Sequence, residues 1–148
     1  MYLDAEGKLL RQGVTAGPAL IKPNQAELSG LMGRPLTTED ETIRAAQELL
    51  AQGVGCVAVT MGAGGALLCW EDCVLRCESP RVPVGSTVGA GDSVVAALAY
   101  ARQRQLSRED TARLAMATGA ANLMCSGTQA DRLGDIEQLL PQVRVTRL

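Results

Sequence analysis

The 148-residue chain contains no histidine. That absence removes Ser-His-Asp and Cys-His nucleophilic catalysis and every imidazole-ligated metal site. Phenylalanine is also missing, and the aromatics are Tyr2, Trp70 and Tyr100. A platform for stacking nucleic-acid bases has little to work with. There is no large basic block: 14 Lys and Arg face 16 Asp and Glu, a net charge of −2. This argues against nucleic acid or an anionic membrane as partner. No apolar run reaches the length of a membrane span. The start, Met1 to Glu6, is acidic and lacks the apolar centre of a secretion signal. These features point to a cytoplasmic protein.

What is present suits a globular domain. An apolar share of 47% is ordinary, and the length supports one domain with a real core. Five cysteines occur. Cys69, Cys73 and Cys77 are spaced by four, which is not a zinc pattern, and Cys56 and Cys125 lie in apolar surroundings. Buried free thiols are expected, as in a reducing compartment.

The order of elements predicts an α/β fold. Leu3 to Gly7 reads as a short strand and turn, and Ala19 to Lys22 as a buried strand stopped by Pro23. Asn24 to Leu31 reads as a short helix ended by Gly33. Thr38 and Glu41 form a capping box for a helix through about Gln52, with Gly53 as its C-cap. Val54 to Thr60 is a β-branched strand buried on both faces. Ala66 to Trp70 and Cys73 to Cys77 form a hairpin around Glu71 and Asp72. A helix follows from Ala90 to about Gln103. Ser107 caps another, with Leu114, Ala115, Thr118 and Ala121 to Leu123 on its inner side. A last helix runs from about Leu133 to Leu140, stopped by Pro141, and Val143 and Val145 make a terminal strand. Alternation of this kind predicts a mostly parallel sheet covered by helices on both faces.

The most informative stretch is Gly85 to Ser93, reading Gly-Ser-Thr-Val-Gly-Ala-Gly-Asp-Ser. A Gly-rich turn runs directly into a helix. Gly89 and Gly91 carry no Cβ, so backbone N–H groups can close around an anion, and the helix N-terminus adds partial positive charge. Asp92 sits where repulsion would disfavour a purely phosphate-binding role. A carboxylate beside an anion hole suits a general base that activates a hydroxyl to attack a phosphoryl group. Ordinary helix capping explains the same residues.

Three further segments stand at element ends. Lys22-Pro23-Asn24-Gln25-Ala26-Glu27 follows a strand, where open α/β sheets bind ligands. Asn24 with Glu27 three residues on is a capping box, and taken alone the cap is the favoured reading. The functional alternative places Lys22 against a phosphate, with Asn24 and Glu27 organising waters around Mg²⁺. Thr60-Met61-Gly62-Ala63-Gly64-Gly65 follows the best strand. It is neither a Rossmann fingerprint nor a P-loop, because a hairpin follows and no Gly-Lys-Ser/Thr ending occurs. A plain Gly-rich turn and a turn that approaches a nucleotide fit it equally. Ala121 to Thr128 ends the penultimate helix, with Gly127 a C-cap. Asn122 there either bonds a neighbour, the commoner case, or touches a ligand.

Together, in this order, the four segments resemble the second half of the ribokinase-like sugar kinases, the PfkB family. Thr87 to Asp92 matches its C-terminal signature, Asn24 to Glu27 its NxxE motif, and Thr60 to Gly65 its nucleotide loop. Ile21 to Leu28 and Ser86 to Ser93 look most like the sugar-phosphate branch. That branch includes the bacterial minor 6-phosphofructokinase, 1-phosphofructokinase and tagatose-6-phosphate kinase, with the first the favoured type.

The resemblance implies a ribokinase-like fold, ATP and Mg²⁺ as cofactors, and a sugar phosphate as substrate. It implies that Asp92 deprotonates the acceptor hydroxyl while Gly89, Ala90 and Gly91 form the anion hole. Lys22 and Asn24 would approach the ATP phosphates, Glu27 the Mg²⁺ shell, and Thr60, Gly62 and Gly65 the nucleotide. Asn122 and Ser126 lie where the family closes over adenine. Some members also bind a monovalent cation such as K⁺ through carbonyls near Ser86, Val88 and Asn122 to Gln129. Family members are about twice this length, and their N-terminal half supplies the sugar-binding residues and lid. Residues 1–148 are therefore expected to be the ATP-binding and catalytic part alone, inactive in isolation. The competing readings are a truncated, non-catalytic nucleotide-binding module, and a partner-binding remnant that self-associates or pairs with the missing half.

Overall fold

The computed structural model describes residues 2–3, 7–61, 65–78, 90–124 and 133–148, with the backbone alone at 2–3, 7–10, 90–93, 122–124 and 133–135. The chain divides into two compact units. The first holds Met1–Arg76 with Arg147–Leu148, and the second holds Cys77–Thr146.

In the first unit, β1 (Tyr2–Leu3) leads to α1 (Gly7–Val14) and β2 (Leu20–Ile21). Helices α2 (Gln25–Met32) and α3 (Glu39–Ala51) precede β3 (Val57–Thr60). Strands β4 (Ala66–Trp70) and β5 (Cys73–Glu78) follow, and the sheet order here is β1-β2-β3-β4-β5. The pairs β1–β2 and β2–β3 are parallel, with Tyr2 opposite Leu20 and Ile21 opposite Val57. The pair β3–β4 is antiparallel, with Val57 opposite Cys69 and Thr60 opposite Ala66. The sheet is thus mixed. A connection of only residues 61–65 cannot carry a parallel crossover, which needs a dozen residues or so.

Helix boundaries follow local chemistry. Thr38 caps α3 by accepting the Glu41 N–H at 3.2 Å, and Glu39, Asp40 and Glu41 place three carboxylates in its positive first turn. Here the expected box is half formed: the Glu41 carboxylate accepts from the Thr37 and Thr38 hydroxyls, at 3.2 and 3.3 Å. Gly33 ends α2 in the left-handed region, at φ 68°, which suits glycine. Helix α1 is an element that the strand-and-turn reading of Leu3 to Gly7 does not contain. It is fastened by Arg11, whose guanidinium donates to the Gly30 carbonyl at 3.1 Å, and by buried Val14.

The core of this unit packs Ile21, Val57, Val59, Leu67 and Cys69 of the sheet against Val14, Leu28, Leu36, Ala45, Ala46 and Leu49. Ala58 and Leu68, on the opposite face by strand alternation, are also buried, so the central strands are shielded on both sides. The hairpin turns at Glu71 and Asp72 as expected. Leu148 closes on β5, its N–H donating to the Val74 carbonyl at 3.0 Å.

In the second unit, α4 (Ala90–Gln103) packs on α5 (Arg108–Met124), and α5 packs on α6 (Leu133–Leu139). Ser107 caps α5 by accepting the Asp110 N–H at 3.1 Å. Ala97, Leu98 and Ala101 of α4 and Ala112, Ala115, Met116 and Ala120 of α5 are buried. Small residues let the two backbones approach. Pro141 does not simply stop α6. It sits in a 3-10 turn, Leu140–Gln142, where a proline in the first turn costs no hydrogen bond, and β6 (Arg144–Arg147) follows.

Candidate functional site

Because β2 and β3 are parallel, their C-terminal ends open in one direction, the side on which α/β sheets bind ligands. Pro23, fully buried, lacks an N–H and ends β2. Its carbonyl instead accepts the Thr60 N–H at 3.0 Å, and a parallel bridge sets Asn24 opposite Thr60. Two of the motifs singled out from sequence are thereby joined. Between them lies a shallow hollow of about 410 Å³, lined by Asn24, Gln25, Ala26, Ser29, Leu36, Thr60 and Met61.

The Asn24–Glu27 pair is a complete capping box. Asn24 Oδ1 accepts the Glu27 N–H at 2.7 Å, and Glu27 Oε1 accepts the Asn24 N–H at 3.2 Å. The cap and a ligand role are compatible, because the cap uses Glu27 Oε1 and not Oε2. The first-turn N–H groups of Gln25 and Ala26 lack intrahelical acceptors, so this corner carries partial positive charge. Lys22 is half-buried just after β2.

Of the second motif, Thr60 is the last residue of β3 and borders the hollow, while Gly62 lies outside the described residues. The Met61 N–H donates to the Gly65 carbonyl at 2.9 Å and closes the turn. Gly65 has φ 89°, a conformation that disfavours any residue with a Cβ.

In the second unit, Ala90, Gly91 and Asp92 are the first three residues of α4, as the sequence predicts. Ser86, Val88 and Gly89 lie outside the described residues, as do Ser126 and Gln129. Asn122 lies on the last turn of α5.

Gln25, Ser29 and Leu36 were not singled out from the sequence. The Ser29 hydroxyl donates to the Gln25 carbonyl at 3.0 Å and accepts the Leu36 N–H at 3.3 Å, and Gln25 Nε2 donates to the Leu36 carbonyl at 3.3 Å. Two polar residues four apart on a short helix were the available signal, since that spacing places them on one face.

Among the described residues the thiols are poorly placed to act as nucleophiles, and Cys125 lies outside those residues. Cys56, Cys69, Cys73 and Cys77 are buried and form no disulfide, and burial, with Cys73 adding a smaller effect, pushes Cys69 up to about 12. Among the described residues no group of three or more acidic or thiol side chains is placed to hold a metal, and no helix is long and apolar enough to cross a membrane.

Comparison with known proteins identifies relatives of the chain as a whole. The model of the pfkB family carbohydrate kinases matches residues 1–133. The 1-phosphofructokinase of Haemophilus influenzae is 38% identical over 149 residues, covering 100% of this chain and 48% of that protein. The 1-phosphofructokinase of Rhodobacter capsulatus is 46% identical over 115 residues, covering 78% and 36%. Phosphofructokinase-2 from Escherichia coli, solved with substrates and products and separately with potassium, superposes with TM-scores of 0.89 and 0.88 at 34% identity, covering 95% of this chain and 46% of that one. The chain spans about half the length, or less, of the curated relatives it matches.

Proposed function

The chain belongs to the pfkB family of carbohydrate kinases and has its ribokinase-like α/β fold; on that premise we propose that it is the ATP-binding and catalytic part of a kinase that phosphorylates a sugar-phosphate hydroxyl. The observation that carries this reading is the Asn24–Thr60 bridge, which joins two strand-end motifs at one hollow. The relatives named 1-phosphofructokinase favour a phosphofructokinase type within the sugar-phosphate branch.

The donor set suits a nucleotide with its metal. Asn24 and Thr60 line the hollow, Lys22 follows β2 directly, the first turn of α2 adds partial positive charge, and Glu27 has one carboxylate oxygen not used by the cap. Lys22 and Asn24 would hold the ATP phosphates and Glu27 would hold Mg²⁺ through water. When bound, Mg²⁺ neutralises charge on the transferring phosphoryl group. Thr60, Gly62 and Gly65 would line the nucleotide, with Asn122 and Ser126 over the base. Ser86 and Val88 would offer carbonyls to a monovalent cation.

Asp92 would take the proton from the attacking hydroxyl. The backbone N–H groups of Ala90 and Gly91, the first two residues of α4, and of Gly89, which precedes them in sequence, would stabilise the developing oxyanion charge. Fusing residues 1–148 to the sugar-binding half of a family relative tests these roles. Asp92→Ala should lower turnover by about a hundredfold to ten-thousandfold, in keeping with losing a positioned base, while ATP binding stays within twofold. Near-normal kcat in that variant would remove Asp92 as the base.

A further inference from the structure

The α2–α3 connection returns along α2 and meets its first turn at Leu36. Gly33 reverses the chain in the left-handed region, and the Arg34 N–H donates back to the Ser29 carbonyl at 3.3 Å. Leu36 then lies with its side chain in the core, 6% exposed, and with both backbone polar groups held by side chains of α2. A buried backbone N–H and C=O must be satisfied, and no strand is available here to do it. Ser29 takes the N–H and Gln25 takes the C=O, while Ser29 also donates to the Gln25 carbonyl, so three bonds link Gln25, Ser29 and Leu36. All three residues line the 410 Å³ hollow. The Gln25 amide oxygen has no protein partner among the described residues, so this side of the hollow is both clamped and able to accept a further hydrogen bond.

We propose that Gln25 and Ser29 are positioning residues that clamp Leu36 and so fix the wall against which a bound nucleotide rests. This inference depends on the hollow being a nucleotide site. The clamp works by pre-organisation: a wall already held needs no ordering when the ligand arrives, and ordering costs otherwise reduce affinity. A nucleotide seated in the hollow in turn restrains Leu36, because ligand and clamp share Gln25.

The test uses the 148-residue chain with ATP–Mg²⁺ as probe. Calorimetry is run on the wild type, Ser29→Ala, Ser29→Thr and Gln25→Ala, with hydrogen exchange read at the Leu36 amide. Ser29→Ala and Gln25→Ala should each weaken binding about tenfold, the scale of one lost hydrogen bond. Ser29→Thr keeps the hydroxyl and should bind within twofold of wild type. ATP–Mg²⁺ should slow Leu36 exchange in the wild type and fail to do so in Ser29→Ala. A purely structural clamp would speed Leu36 exchange without this dependence on ligand. If Ser29→Ala does not fold, Gln25→Ala and the wild-type exchange measurement decide alone. Wild-type affinity in both alanine variants, or Leu36 exchange unmoved by ligand in a wild type that binds, overturns the clamp and leaves the nucleotide site standing. A wild type that binds no nucleotide overturns the site, and the clamp with it.

Discussion

A methyl group added at Gly55 should loosen the strand pair that builds the hollow. The Cβ of Gly55→Ala would stand 2.7 Å from the Ala19 carbonyl oxygen and 3.4 Å from both Ala19 C and Cα. Favourable heavy-atom contacts lie near ~3.5 Å, so relief demands a shift of roughly half an ångström or more. Both sides of this contact are backbone, and neither can rotate away. The strain therefore reaches the ladder on either side: Gly55 N–H to Pro18 C=O and Ile21 N–H to Cys56 C=O, each 3.0 Å. Overpacking costs about 1–3 kcal/mol, and a weakened ladder bond adds roughly 0.5–1.5 kcal/mol. Against these, alanine in place of glycine stiffens the unfolded chain, a gain of roughly 0.4–1 kcal/mol. The balance is a loss on the order of 2 kcal/mol, or about 4–8 °C in Tm for a chain of this size. Urea unfolding followed by the fluorescence of Trp70, the sole tryptophan and buried in β4, reads it directly. Gly30→Ala is the internal control. Its Cβ meets nothing within 4 Å and it lies inside α2, so it should stabilise by about 0.5–1 kcal/mol. If Gly55→Ala unfolds at the wild-type midpoint or above, or behaves like Gly30→Ala, the close approach of these backbones is wrong.

Two further outcomes follow from packing and ionisation. A Cβ on Gly119 of α5 would lie 2.9 Å from Val94 Cγ2 of α4, so Gly119→Ala should lose about 1 kcal/mol despite its better helix propensity; adding Val94→Ala should recover part of the loss in a double-mutant cycle of unfolding free energies, and strict additivity would refute the contact. Cys69 has its proton held to about 12 from an ordinary 9.0, so the unfolded state releases a proton between these values while the native state keeps it. Stability should accordingly fall as pH rises through that window, and Cys69 should resist iodoacetamide at pH 8 until the chain unfolds; rapid alkylation of the native protein at pH 8 would contradict its burial.

Legibility in the sequence tracked local punctuation. Ser107 and Gly33 mark helix ends with side-chain or φ chemistry that acts within one turn, and α4 begins and ends where its glycines and apolar spacing say. Helix α1 was illegible because Gly7 and Gly13 resemble turn residues. What holds it is remote, Arg11 on the Gly30 carbonyl and Val14 in the core. The antiparallel β3–β4 pair was legible only by counting the short 61–65 connection, since strand–helix alternation points to parallel pairing. At the site, the Asn24–Glu27 spacing gave the cap, and the bridge to Thr60 depended on a register that no local pattern encodes. Gln25 and Ser29 escaped notice for the same reason, because their partner Leu36 is set by the path of a loop.

The measurement that bears most directly on the account is calorimetric titration of ATP into the chain, with Mg²⁺ and with chelator, for the wild type and Glu27→Gln. A glutamine oxygen can still accept the Asn24 N–H, so the cap survives while the charge is lost, at a cost of roughly 0.3–1 kcal/mol in helix-dipole energy. The wild type should bind ATP more tightly with Mg²⁺, and Glu27→Gln should lose most of that enhancement while remaining folded. An absence of ATP binding in the wild type, or a full Mg²⁺ enhancement in Glu27→Gln, would contradict the hollow as a nucleotide site with Glu27 on its metal side.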